Sequence, residues 1–284
     1  MPLLVWIILF TAVGGIASAA FAGVYLLLPE ATGRRILPHF ISYATGALLG
    51  AALLALLPDA VEGAGPAGAH SIGLAMVAGL GIFFVIEKLV LWWHTHANGN
   101  GHGHAHDHGH SHGHGNEQGR DLAHGDLHGH DHGRDAASGV LVIIGDSIHN
   151  ALDGVLIAAA FLTSFSLGLV TTFAVAAHEI PHRVGDFAIL VHSGMSRGRA
   201  LVMNMATGLT SIIGGIAAYF GLQRTQGVLP YALALAAAGF LYIAVAGLIP
   251  GLQRRADPRT SLAQVVLMGL GVATIAWAES LAHQ

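Results

Sequence analysis

The sequence contains no cysteine, so it has neither a disulfide framework nor a thiolate metal site available to it. Charge is scarce as well. Asp, Glu, Lys and Arg make up 10% of the 284 residues, against about a quarter in an ordinary soluble domain. So few charges cannot coat a water-facing surface of this size, and a soluble globular protein is excluded. The formal net charge is −4 with neutral His, and there is no basic patch or stripe of the kind that tracks nucleic acid. The start, Met1-Pro2-Leu3-Leu4, lacks the basic residues of a secretory signal. Its apolar run continues to about Leu28, too long for a signal core, and is expected to be a retained helix.

What the chain does have is apolar length. Hydrophobic residues make up 54% of it, and the charges cluster so that long runs carry none. A membrane-spanning helix needs about 20 such residues, and Gly and Ala let helices approach closely in lipid. The pattern predicts an all-α integral membrane protein in a lipid bilayer. Eight transmembrane helices are expected, at 3–28, 39–58, 72–93, 139–163, 167–192, 199–221, 229–250 and 260–282, or seven if the first run lies at the periphery. The short junction Thr163-Ser164-Phe165-Ser166 makes the fourth and fifth spans an antiparallel hairpin. Three sections follow: spans one to three over 1–93, a linking segment over 94–138, and spans four to eight over 139–284.

Basic residues near span ends mark the cytoplasmic side. With the N-terminus outside, the inner segments hold ten: Arg34, Arg35, Lys88, Arg120, Arg134, Arg197, Arg199, Arg254, Arg255 and Arg259. The outer segments hold only Arg224. This bias puts both termini outside, in the plasma or inner membrane, and the 94–138 segment in the cytoplasm.

That segment holds most of the chain's 20 histidines, including Gly101-His102-Gly103-His104-Ala105-His106-Asp107-His108-Gly109-His110. Its glycine content and few apolar residues predict that it buries no core and stays unfolded. Neutral imidazoles in such density suit zinc, copper, nickel or iron. The alternative is a plain polar spacer, which does not account for alternating His over so many positions.

Ionisable residues inside spans are costly and usually functional. The fourth span reads Asp146-Ser147-Ile148-His149-Asn150-Ala151-Leu152-Asp153-Gly154, and the fifth reads His178-Glu179-Ile180-Pro181-His182-Arg183-Val184-Gly185-Asp186. Asp146, His149 and Asp153 share one helical face, with Asn150 beside it; His178, His182 and Asp186 form a stripe on the next helix. Together they offer the imidazole and carboxylate set that a borderline dication takes, zinc first, with Fe2+, Mn2+ and Cd2+ admissible. An ion would exchange onto His149, Asp153, His178 and His182, with Asn150 and Glu179 assisting. A polar network that merely glues helices needs far less than this. Pro181 frees the carbonyl of Ala177. Arg183 pairs with Glu179 at i, i+4 and neutralises part of the acid cluster, or else snorkels to the interface. Asp59 and Glu62 lie on the outer side, and Asn204 sits in the sixth span.

These residues resemble the ZIP family of zinc and iron transporters. The motifs are His149-Asn150-x-x-Asp153-Gly154 and His178-Glu179-x-Pro181-His182-x-x-Gly185-Asp186, similar to the subfamily whose fifth helix reads H-E-x-P-H-E-x-G-D. The likeness covers essentially the whole chain. It implies metal uptake toward the cytosol, a homodimer, and elevator-like alternating access in which the site-bearing helices move against the others. The chain departs from that pattern in three places. Where relatives read G-D-A-L-L-H-L-L-P, it has Gly50-Ala51-Ala52-Leu53-Leu54-Ala55-Leu56-Leu57-Pro58; span seven closes on Val245-Ala246-Gly247-Leu248-Ile249-Pro250-Gly251 without an acid; and Arg183 stands where the subfamily has Glu. Auxiliary path acids are absent while the central set is intact.

Three competing readings remain. His178-Glu179-Ile180-Pro181-His182 also fits H-E-x-x-H, the zinc protease motif. Such an enzyme needs a third ligand, yet the only acid in spans six to eight is Glu279 at the outer end. A cation-diffusion facilitator would have about six spans and a soluble C-terminal domain, for which Ala282-His283-Gln284 leaves no room. A metal sensor or buffer that binds without transport is the third; the expectation is a transporter and not an enzyme.

Overall fold

The computed structural model describes residues 2–25, 27–97, 131–253 and 257–282, and all regular structure among them is helical. The first rod is α1 (Leu3–Ala12), a π-helical turn (Val13–Ala17) and α2 (Ser18–Tyr25). The second is α3 (Glu30–Gly50), a π-helical turn (Ala51–Leu56) and α4 (Leu57–Ala64). Then come α5 (Ala69–Ala97), α6 (Asp131–Thr163), α7 (Phe165–His192) and α8 (Arg197–Leu222). The seventh rod is α9 (Leu229–Tyr242), a π-helical turn (Ile243–Leu248) and α10 (Ile249–Gln253), and α11 (Pro258–Ala282) is the last.

Among the described residues, seven helices are long and apolar enough to cross a membrane. They correspond to seven of the eight expected spans. The remaining rod, α7, carries His178, Glu179, His182, Arg183 and Asp186 in its second half, which lowers its hydropathy. Several helices run beyond the expected limits, because hydropathy marks the apolar stretch and not the hydrogen-bonded ends. The second rod starts at Glu30 instead of 39, with Pro38 carried inside α3. Helix also enters the 94–138 segment from both sides, reaching Ala97 and starting again at Asp131. The His-rich tract expected to be unfolded, over 98–130, lies outside the described residues.

The α6–α7 hairpin turns on Ser164 alone. Its extended backbone (φ −151°, ψ 155°) stops α6, and its side chain accepts a hydrogen bond from the Leu167 N–H at 3.1 Å to start α7. The first rod, α6, α7 and α8 pack on one another; the second rod, α5, α9 and α11 form another such set. Helices α6 and α7 lie along the seam, α7 against α3, α11 and the Ala51–Leu56 turn, α6 against α5 and α9. Small residues set these approaches. A Cβ on Gly154 would lie 1.8 Å from the Ser211 carbonyl oxygen, and one on Gly214 would lie 2.0 Å from that of Ala151, so the backbones of α6 and α8 touch. That contact holds the polar face of α6 at a fixed height beside α8.

Candidate metal centre

Among the described residues, a core mainly of alanine, leucine and isoleucine encloses a band of charged and amide side chains. Asp146, Asn150, Asp153, His178, Glu179, Arg183, Asp186, Asn204 and Thr207 are all buried within it. Isolated charges at such depth would be costly, so each has to be paired or aimed at a cation.

Four of the expected ligands converge. His149 Nε2 lies 3.3 Å from His178 Nε2, 3.4 Å from Glu179 Oε1 and 3.7 Å from Asp153 Oδ2. His178 Nε2 lies 3.6 Å from Asp153 Oδ2 and 4.0 Å from Glu179 Oε1. Four donors tetrahedral about zinc at about 2.05 Å stand about 3.3 Å from one another. The separations of 3.3 to 4.0 Å from the two imidazole nitrogens are close to that spacing. The protonation pattern fits as well. The Nδ1 of His178 sits 3.1 Å from the Ala174 carbonyl, which can only accept, so Nδ1 carries the proton and Nε2 presents its lone pair to the ring. Asp153 Oδ2 and Glu179 Oε1 are buried with no hydrogen-bond donor. Two unsatisfied buried carboxylate oxygens at one point are unfavourable unless a cation takes them.

The other expected residues divide differently from their helical stripes. His182 lies one turn beyond His178, about 6 Å along the axis, and stays outside the ring. Its Nδ1 is 2.9 Å from Asp186 Oδ2, and its ring stacks on His149 at 5.2 Å between centroids. With Asp146 these two form a second ligand group. Glu179, expected to assist, supplies a ring oxygen instead. Asn150 does not face the ring. Its Nδ2 donates to the Asp146 carbonyl and carboxylate at 2.9 and 2.8 Å, and its Oδ1 accepts from Arg183. The alternative of a snorkelling Arg183 is overturned, because that side chain is fully buried. Its Nε donates to Glu179 Oε2 at 2.7 Å, in the i, i+4 pairing expected of them, and one terminal nitrogen donates to Asp146 Oδ2 at 2.8 Å. Thr207 was not anticipated. It lies three residues beyond Asn204 on α8, and both bind Arg183. Two polar residues one turn apart in an apolar span were the available signal. Asp59, Glu62, Thr163, Ser166 and Glu279 line a separate cavity of about 340 Å³ away from the ring.

The arrangement can hold one dication by two imidazoles and two carboxylates, with access on the side of the half-exposed His182. The H-E-x-x-H enzyme reading asks for His178 and His182 on one ion with Glu179 free to activate water; here Glu179 is in the ring and His182 is tied to Asp186.

Comparison with known proteins gives the same direction. The family model described as "ZIP Zinc transporter" matches residues 3–278. Zinc transporter ZIP13 of Homo sapiens is 31% identical over 268 residues, covering 87% of this chain and 71% of that protein. The Danio rerio ZIP13 is 29% identical over 94% of this chain and 86% of its own length. Zinc transporter ZIP4 of Homo sapiens is 33% identical over 82% of this chain but only 42% of its own length. With a family match that runs nearly end to end and a His/Asp/Glu cluster on the two motif-bearing helices, this chain belongs to the ZIP zinc transporter family.

Proposed function

We propose that this membrane protein carries zinc into the cytosol, one ion at a time, on the ring of His149, Asp153, His178 and Glu179. The observation that carries the reading is the convergence of four N and O donors within 4.8 Å of one another, two of them carboxylate oxygens with no other partner. The relatives' names make zinc the cargo to test first, with Fe2+, Mn2+ and Cd2+ as competitors of similar ligand preference.

Helix α7 serves as the eighth span. Its 28 residues reach about 42 Å, against a hydrocarbon core of about 30 Å. The charge bias supports a topology with both termini outside and the His-rich segment in the cytoplasm. On that topology the ring opens inward. His178 is 1% exposed at its buried end, whereas the side chain of His182, nearer the cytoplasmic end of α7, is 42% exposed. Alternating access is a displacement of the first rod, α6, α7 and α8 against the second rod, α5, α9 and α11, and the working unit is a homodimer.

Radioactive zinc flux into proteoliposomes of defined orientation tests the whole reading. Saturable zinc movement toward the side that holds the His-rich segment is the expected result. Tight zinc binding with no flux would favour a sensor or buffer, and movement in the opposite direction would overturn the topology.

A further inference from the structure

The buried band holds a cation besides the one the ring is built for. Six oxygens surround the guanidinium of Arg183. They are Glu179 Oε2 at 2.7 Å, Asp146 Oδ2 at 2.8 Å, the Asn204 carbonyl at 2.7 Å, Asn204 Oδ1 at 2.8 Å, Thr207 Oγ1 at 2.5 Å and Asn150 Oδ1. They come from three helices, α6, α7 and α8; Glu179 Oε2 accepts from Nε and Asn150 Oδ1 from Nη2, while the other four gather at Nη1 and share its two protons. The Thr207 hydroxyl gives its proton to the Asn204 carbonyl at 2.8 Å, which leaves a lone pair for Arg183. An all-oxygen shell of this size is what a hard dication takes. The shell and the ring share one residue, since Glu179 turns Oε1 to the ring and Oε2 to Arg183.

We infer that Arg183 is a tethered cation that fills a second cage beside the ring and limits the centre to one dication per chain. This rests on the ring being the metal site. Formal charge supports the limit. With Asp146, Asp153, Glu179 and Asp186 ionised, Arg183 and one dication leave a single negative charge in the band, whereas a second dication would leave it positive. A positive excess in a site screened from water is strongly disfavoured. Arg183 is therefore a specificity-determining residue. It sets how many ions bind and weakens the hold on the one that does, so that the ion can leave.

The test is the zinc content and zinc affinity of the full chain in detergent. The count in a His178→Ala/Asp153→Ala double variant is subtracted, to remove ions held by the His-rich segment. The parent is expected to hold one site-specific ion and Arg183→Glu two. Arg183→Gln, which removes the charge but keeps a hydrogen-bonding side chain, is expected to hold zinc more than about tenfold tighter, because a unit charge no longer repels the dication at close range. Arg183→Lys keeps the charge and is expected to remain within about threefold of the parent, a factor too small to reflect loss of a charge. Two site-specific ions in the parent, or a folded Arg183→Glu chain holding only one, would overturn the inference. If Arg183→Glu does not fold, equal affinity in the Gln and Lys variants overturns it instead. A subtracted count of zero in the parent removes the metal-centre reading itself, whereas a count of one indifferent to residue 183 removes only the role of Arg183.

Discussion

Two buried regions face each other across the seam and could hardly differ more in chemistry. On α6 and α7 the band around the ring carries four carboxylates, two ring imidazoles and an arginine. On the other side, the π-helical turn Ala51–Leu56, which packs against α7, buries Ala51, Ala52, Ala55 and Leu56 and offers no ligand. The turn Ile243–Leu248 is equally apolar. The candidate ligands therefore all lie on α6 and α7. A site whose ligands all sit on one body can move with its ion past a neutral wall, because no coordinate bond to that wall has to break. π-Turns are often found at functional positions, and here the Ala51–Leu56 turn shapes the wall beside α7 while contributing no ligand to it.

The site side depends on the contact that sets the height of α6. Gly154→Ala should have the largest effect, since its Cβ would lie 1.8 Å from the Ser211 carbonyl. Forcing α6 and α8 apart costs more than about 3 kcal/mol and should reduce folded yield sharply; size-exclusion chromatography and thermal unfolding read this directly.

The neutral wall makes the converse prediction. Ala51 is fully buried, so Ala51→Asp places a carboxylate where nothing pairs with it, at a cost of about 2–4 kcal/mol. A lowered Tm that added zinc does not restore supports a wall without ligands. Full recovery by zinc would show that the wall can join the site.

A smaller effect is expected outside the ring on its own side. His182 stacks on His149 without entering the inner four, so His182→Ala should weaken zinc binding by about 10–100-fold, as loss of supporting groups does. Zinc affinity should also fall as pH is lowered, since protons compete with the ion for the Nε2 lone pairs of His149 and His178. A competition titration with a zinc dye at several pH values measures both. The smallest effect is expected from deleting 100–133, which should leave maximal flux near the parent's while shifting the zinc concentration that half-saturates it.

The same contrast explains what the sequence disclosed. His149, Asp153 and His178 stood out in the sequence as candidate ligands, with Glu179 only assisting, because imidazole and carboxylate at helical spacing within apolar spans have few other uses. The hairpin was legible from the short junction around Ser164. The partition of ligands was not. Spacing places His178 and His182 on one stripe but does not say that a compact ring takes only one turn of it, nor that Glu179 rotates into the vacant corner. The shell around Arg183 was hidden for a similar reason: Asn204 and Thr207 are single polar residues whose partners lie on other helices. The π-turns were invisible, because an alanine- and leucine-rich stretch carries no mark of an extra residue per turn. Helix ends were displaced because hydropathy reports where apolar side chains stop.

The most direct measurement of the central claim is radioactive zinc uptake by proteoliposomes containing His149→Ala, Asp153→Ala, His178→Ala or Glu179→Gln, each verified as folded. Loss of one donor from a four-ligand site removes much of its affinity and its geometry. The expected result is uptake reduced to the level of empty liposomes in the three alanine variants and strongly impaired in Glu179→Gln. Parental uptake by any folded variant among the four would contradict the ring as the carrier of the ion.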